Sequence, residues 1–388
     1  MWIASVCTAV AIQVRNVAGL YQVYEISGSA LQLGITGFLQ AFPFVIFGLF
    51  AGAIADSIDR KKLLVVTMII QLIPSLLLGS LTMTGAVQAW HIYTLGFVGA
   101  LVEVFNWPAR SALIPRLVPR SYLMNAVTLN TIIIQMSFLL GPAFGGLLID
   151  STGLAATYFM TIGMLLPAGF AILAMRTSGV PEGERRRVNL RSIFEGIEFI
   201  WIQRIILSLF LLDFGVTLVG FYRPILPIFA EDIFHVGARG LGALYAAPAI
   251  GALIGSGVLL AFGDIERKGA VAVIVTLLFA LSLGFLGLSQ SFWMGLLALG
   301  LLGVSDAISV AIRRTVVQIL APDNMRGRAT SFLTVFAQTT NGLGAVIAGA
   351  GAALFGAPNA ALLGSVLCAL TVVATCWAIP QLWRYRPE

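Results

Sequence analysis

DSIDRKKLLVVTMIIQLIPSLLLGSLTMT, residues 56–84, carries five charges in its first seven positions and none in the 22 that follow. A helix crosses a bilayer with about 20 apolar residues, because about 30 Å of hydrocarbon is spanned at about 1.5 Å per residue. A charged turn opening onto an uncharged run of that length therefore reads as a helix passing from water into lipid. The arrangement recurs along the chain. Twelve apolar runs, bounded by charged, Gly/Pro or polar turns, cover approximately residues 1–24, 30–55, 63–84, 92–113, 124–149, 155–175, 205–230, 241–262, 270–288, 292–312, 330–354 and 361–383. The first is a span rather than a signal peptide: it has no basic start, holds Arg15 midway and shows no cleavage site.

Composition agrees with that reading. Of 388 residues, 59% are hydrophobic and 10% charged, and mean hydropathy is +0.97. An ordinary soluble domain carries about 25% charged residues, so this chain could not cover its surface in water. A cytosolic enzyme, a disordered protein and a nucleic-acid binder are excluded. Cys7, Cys368 and Cys376 lie inside apolar runs, with neither disulfide nor metal spacing.

Charge placement orients the spans. With the N-terminus in the cytoplasm, 20 of the 23 basic residues fall in inner loops, Arg239 alone lies outside, and Arg15 and Arg223 fall within spans. Under the positive-inside rule both termini are cytoplasmic. The longest hydrophilic segment, within residues 176–204, carries Arg185, Arg186 and Arg187. It continues into Ile193, Phe194, Ile197 and Trp201 at helical spacing, the pattern of an amphipathic helix on the inner membrane surface. The expected organisation is an N-terminal six-helix bundle over residues 1–175, this cytoplasmic linker, and a C-terminal six-helix bundle over residues 205–388.

The two halves superimpose as sequences. An offset of 203 pairs Leu117-Val118-Pro119 with Leu320-Ala321-Pro322, Glu103 with Asp306, Arg110 with Arg313, and Gly141 with Gly344. Earlier in each half an offset of 208 pairs Asp56 with Asp264 and Arg15 with Arg223. Two similar bundles in parallel orientation are an architecture whose site forms at the bundle interface near the midplane.

Three motifs carry a family resemblance. The loop GAIADSIDRKK (52–62) resembles the G-x-x-x-D-R-x-G-R-R/K signature of the major facilitator superfamily, departing from it at Ser57 and Asp59. GPAFGG (141–146), with Gly141, Pro142, Gly145 and Gly146, is similar to the helix 5 motif of its antiporter branches. NWPAR (106–110), LVPR (117–120) and Asn125-Ala126 resemble the enterobactin-exporter-like and macrolide-efflux-like branch. The resemblance covers essentially the whole chain. It implies the major facilitator fold, alternating access, efflux rather than uptake, and a siderophore-like or drug-like substrate.

A charge at the bilayer centre costs at least about 2.5–3.5 kcal/mol, so each intramembrane ionisable group needs a partner or water. Glu103 lies near the middle of the fourth span and Asp306 at the matching place in the tenth. Arg110 and Arg313 follow seven residues on, on the same helix face, with Asn106 and Ser309 between. These acids read either as protonatable coupling groups or as structural ion-pair partners. Asp213, whose repeat position is Ser5, is a third candidate for proton coupling, or a partner of Arg15 or Arg223. Arg15 and Arg223 would face a substrate cavity with Asn106 and Tyr222, or else snorkel outward. Asp56, Arg60, Lys61, Arg110, Asp264, Arg267 and Arg313 form an expected inner gate, with Asp56 as a latch on a helix end of the opposite half.

No G-x-x-x-x-G-K-[ST] loop, metal-spaced His/Cys set or nucleophile–base grouping occurs; His91 and His235 are lone loop residues. The expectation is a monomeric cell-membrane transporter, not an enzyme, without cofactor or nucleic acid. Its partners are a small-molecule substrate, protons and the lipid bilayer. The alternatives are a proton-coupled nutrient uptake symporter and a non-transporting sensor or scaffold with the same fold.

Overall fold

The computed structural model describes residues 1–175, 201–263, 265–322 and 326–385, with side chains except at 49, 52, 53, 55–57, 326–332 and 334. Nearly all of this is helix, with no strand among the described residues. In chain order the elements are α1 (Trp2–Ser27), α2 (Ala30–Ser57), α3 (Arg60–Met83), α4 (Ala89–Leu117), α5 (Leu123–Leu173), α6 (Arg204–Ile233), α7 (Gly237–Phe262), α8 (Lys268–Leu288), α9 (Phe292–Leu320), α10 (Arg326–Phe355) and α11 (Ala357–Ala378). Ten helices are long and apolar enough to cross a membrane. One of them, α5, holds two expected spans joined across Gly153, where a φ of 82° interrupts the helical backbone. α10, which is 30 residues long, covers the eleventh expected run, so that the described helices account for all twelve expected runs. The expected amphipathic segment lies mostly outside the described residues, as does Asp264.

Helix ends follow local chemistry. Asp59, which stands where the loop signature has glycine, caps α3: its Oδ1 accepts from the amides of Lys61 (2.9 Å) and Lys62 (3.3 Å). Ser29 and Ser291 cap α2 and α9 in the same way. Gly28 ends α1 in the left-handed region at φ 58°, its amide returning to the Tyr24 carbonyl at 2.8 Å. α6 is the irregular element. It is α-helical to Phe214, widens to a π-helical turn over Gly215–Val219 and breaks at Gly220. It resumes as a 3₁₀ turn at Arg223–Ile225. Wide turns of this kind are frequently found at functional sites, and here the break carries Tyr222 and Arg223.

The helices form two compact units. One comprises Met1–Gln32, Leu39–Val188 and Val236–Ala246; the other Leu33–Phe38, Asn189–His235 and Ala247–Glu388. Each thus takes in a short stretch that belongs to the other half by sequence. The core of the first gathers Ala11, Leu64, Met68, Leu113 and Leu165; that of the second gathers Leu212, Val273, Ile308, Val316 and Val372. Trp377 (86% exposed), Phe262 (78%) and Trp293 (76%) stand outward. Such surfaces suit hydrocarbon, in which helices associate through close packing of small residues. Gly34, for instance, lies so near α10 that a Cβ would meet the Ala345 carbonyl at 2.6 Å.

The tenth span outruns its expected end. It was expected to stop at residue 312, before Arg313-Arg314, but α9 continues to Leu320. The charge did not end the helix because Arg313 turns inward, 8% exposed, onto an acid. The last span stops earlier than expected, at Ala378, where Ile379-Pro380 removes the next backbone donor.

Candidate functional site

Each unit holds a buried charged cluster of its own. In the first, Arg15 of α1 is 6% exposed and reaches α3. Its Nη1 donates to the Gln71 carbonyl at 3.1 Å and its Nη2 to Gln71 Oε1 at 3.0 Å. Gln71 Nε2 in turn donates to Glu103 Oε1 on α4 at 3.1 Å. The guanidinium fits because residue 99 has no side chain: a Cβ there would stand 2.6 Å from Arg15 Nη2. Arg15 therefore points into the bundle and does not snorkel. Three helices are joined by a polar chain of cation, amide and anion in the middle of apolar spans. One turn further along α4, Asn106 is 2% exposed and donates to Thr67 Oγ1 at 2.9 Å. Arg110 follows, its charge acting on Glu103. Among the described residues, Asn106 Oδ1, Arg110 Nη2 and Ser5 Oγ are buried without a hydrogen-bond partner.

In the second unit the wiring differs. Asp213 of α6, 2% exposed, forms an ion pair with Arg313 of α9 at 2.5 Å through Oδ1, while Oδ2 has no hydrogen-bond partner among the described residues. Asp306, two turns before Arg313 on α9, interacts electrostatically with Arg313, Arg223 and Arg314. It is exposed, half a turn round the helix from the exposed Leu297 at about 100° per residue. Tyr222 is buried and hydrogen-bonded to Arg223, which is half-buried at the break in α6. The structure joins Arg15 to Glu103 through Gln71 and pairs Asp213 with Arg313, while Asp306 lies in the field of Arg313, Arg223 and Arg314. Asp213 is not joined to Arg15.

Of the expected gate residues, Arg60 and Lys61 bond to backbone carbonyls inside the first unit, while Arg313 is taken up by its ion pair with Asp213 in the second. Arg60 Nη1 donates to the Ala112 carbonyl of α4 at 3.3 Å. Lys61 Nζ donates to the carbonyls of Leu173 (3.1 Å) and Met175 (2.5 Å), placing a cation on the C-terminal end of α5. Arg267 is exposed at the start of α8. Asp264 and the Asp56 side chain lie outside the described residues.

The helix 5 motif presents two faces. Gly141 and Gly145 lie against α1, where a Cβ would meet Gln13 Cβ at 2.5 Å and Val14 Cα at 3.2 Å. Gly146 lies against the first turns of α7: a Cβ there would stand 2.5 Å from the Ala238 carbonyl and 2.8 Å from Gly242 Cα. Pro142 completes that contact, its carbonyl 2.6 Å from a Cβ built on Gly242.

Gln71 is the participant that residue-by-residue reading passed over. Its signal was a lone carboxamide midway through the uncharged run 63–84, where an amide without partners would be costly. Thr67, one turn earlier on α3, was missed in the same way.

The transmembrane secretion effector family matches residues 1–383. The enterobactin exporter EntS of Shigella boydii serotype 18 (strain CDC 3083-94 / BS512) is 26% identical over 390 residues, covering 100% of this chain and 92% of that protein. The exporter of the same name from Escherichia coli O81 (strain ED1a) gives the same figures. Among solved structures, a bacterial homologue of the human lysosomal transporter Spinster, inward-facing and unoccupied, aligns with TM-score 0.75 at 15% identity, over 100% of this chain and 97% of that one. The nucleoside transporter NupG aligns with TM-score 0.77 at 11% identity, over 97% and 98%. These likenesses are ones of fold.

Proposed function

We propose that this chain, which belongs to the transmembrane secretion effector family of the major facilitator superfamily, exports a small organic molecule by alternating access in exchange for protons. What supports the reading most is the Arg15–Gln71–Glu103 chain: an acid held in mid-span on a neutral amide, where a proton can be taken up without breaking an ion pair. Glu103, Asp213 and Asp306 are the candidate coupling acids. Arg15, Arg223, Asn106 and Tyr222 are the candidate cavity residues. The substrate class is siderophore-like or drug-like, in keeping with full-length relatives named as enterobactin exporters.

The membrane is the cell's inner membrane, with both termini cytoplasmic and a cytoplasmic linker over residues 176–204, as the distribution of basic residues favours. Asp56 with Arg60 and Lys61, and Asp264 with Arg267, are the inner gate; the transporter works as a monomer.

Inverted membrane vesicles containing the full chain, given an inward-acid pH gradient and labelled enterobactin or a labelled macrolide, test the proposal. Accumulation that collapses with the gradient is expected. Glu103→Gln is expected to exchange substrate across the membrane without accumulating it. Accumulation only in right-side-out vesicles would replace export with uptake symport, and none in either orientation with any probe would sink the transport reading for these substrates.

A further inference from the structure

Gln71 is 1% exposed and both ends of its carboxamide are engaged. Oε1 accepts from Arg15, and Nε2 donates to Glu103 and, at 3.5 Å, to the Gly99 carbonyl. Arg15 thus spends both terminal nitrogens on one neutral residue. Glu103 is bonded to a neutral donor. The two charges attract through space but share no ion pair among the described residues, unlike Asp213 and Arg313.

The difference matters when a proton arrives. In a direct buried pair, protonating the acid strands its guanidinium in a low-dielectric interior, which is strongly unfavourable. At Glu103 a proton leaves both Arg15 bonds intact, and a neutral carboxyl still has acceptor capacity for Gln71 Nε2. We propose, resting on the reading of this chain as a proton-coupled exporter, that Gln71 is a positioning residue. It holds Arg15 one amide away from Glu103, so that Glu103 exchanges the proton while Asp213, directly paired, stays ionised. No motif in the sequence marks Gln71 for this role.

The charged and titratable groups that bear on the cluster come from each packed element. Arg15 comes from α1 and Arg110 from α4. Tyr158 of α5 acts on Arg15 and is itself influenced by Glu25. α2 contributes rings, Phe42 on Phe97 and Phe47 on Phe105.

Infrared titration of the full-length protein in phospholipid nanodiscs reads the protonated carboxyl directly. The difference between wild type and Glu103→Gln is expected to contain a titrating carboxylic-acid band, which the difference between wild type and Asp213→Asn lacks. In Gln71→Leu the amide is gone and Arg15 meets Glu103 directly, so the band's midpoint falls by about one to three pH units. Gln71→Glu, nearly the same shape and suited to keep the fold, sets a second carboxylate beside Glu103 and moves the midpoint the other way. Thermal unfolding is followed in parallel. A Gln71 that merely packs would lower the unfolding temperature of Gln71→Leu and leave both midpoints where wild type has them; that result, or a wild-type minus Glu103→Gln difference without a carboxylic-acid band, overturns the proposal. Gradient-driven accumulation that persists in Glu103→Gln would also overturn it, while leaving the exporter reading in place. The expected band shifts without any gradient-driven accumulation would remove the exporter reading and leave the role of Gln71 intact.

Discussion

The two units solve the same problem, a charge inside a membrane, in opposite ways. The 208-residue offset that pairs Arg15 with Arg223 pairs Gln71 with Phe279. Where the first unit has an amide bonded to cation and acid, the matching position of the second holds a buried ring, 4% exposed, whose centroid is 6.5 Å from that of Tyr222. The other pairing is reversed. Asp213 and Arg313 form an ion pair in the second unit, while their counterparts Ser5 and Arg110 each keep a buried polar atom without a partner in the first. A repeat thus preserves where charges sit more faithfully than what they bond. One unit carries a relay through a neutral amide and the other a direct clasp between acid and guanidinium.

The contrast is tested most strongly by cutting the clasp. Arg313→Leu or Asp213→Leu alone should destabilise the protein by about 3–5 kcal/mol, because each strands a buried charge, and the double substitution should cost far less than either. Arg110→Leu, its equivalent in the first unit, should cost well below Arg313→Leu. Thermal unfolding in detergent, followed by intrinsic fluorescence, ranks the four variants; equal losses for Arg110→Leu and Arg313→Leu would erase the distinction.

Packing around the clusters offers a second comparison. A Cβ on Gly303 would meet the Pro248 carbonyl at 2.0 Å, backbone against backbone, whereas one on Gly99 would meet the movable end of Arg15. Gly303→Ala should therefore cost about 1–3 kcal/mol and Gly99→Ala less. Gly257→Ala, with nothing within 4 Å, should gain up to about 1 kcal/mol of helix propensity. The same unfolding assay reads all three, and a Gly99→Ala loss equal to that of Gly303→Ala would show that Arg15 has no room to move.

The first unit's neutral bonding extends beyond the relay. Tyr158 donates to Gln22 Oε1 at 2.9 Å and Gln22 Nε2 to Thr82 Oγ1 at 2.8 Å. Tyr158→Phe should cost about 1 kcal/mol; no change in unfolding temperature would mean that this chain adds little. The smallest effect is expected from grafting the clasp onto the first unit. Ser5→Asp offers a carboxylate toward Arg110 at a buried position, where desolvation offsets most of the attraction, and should stabilise the fold by about 1 kcal/mol or less, read as a slightly higher unfolding temperature. A drop would indicate that residue 5 and Arg110 do not meet.

Much of this architecture is legible in the sequence. The run 63–84 is a span because 22 uncharged residues admit little else, and α3 covers it within a few residues. The pairing of Arg15 with Arg223 and of Glu103 with Asp306 was visible as spacing. Reading charge as a boundary misled once: Arg313 looked like the exit of a helix and is a buried partner within it. Gln71 was hidden for a related reason. A single amide in an apolar run carries no sign of its partners, which lie 56 residues before it and 32 after it in the chain.

Span count and the sites of intramembrane charge follow from the chain alone, because entry into lipid is governed by the summed transfer cost of consecutive residues. Partnership does not. Whether an acid meets a guanidinium, an amide or a ring depends on which helix faces come within about 3 Å of each other. That proximity arises only when glycines such as Gly99 and Gly145 let distant segments of the chain close together.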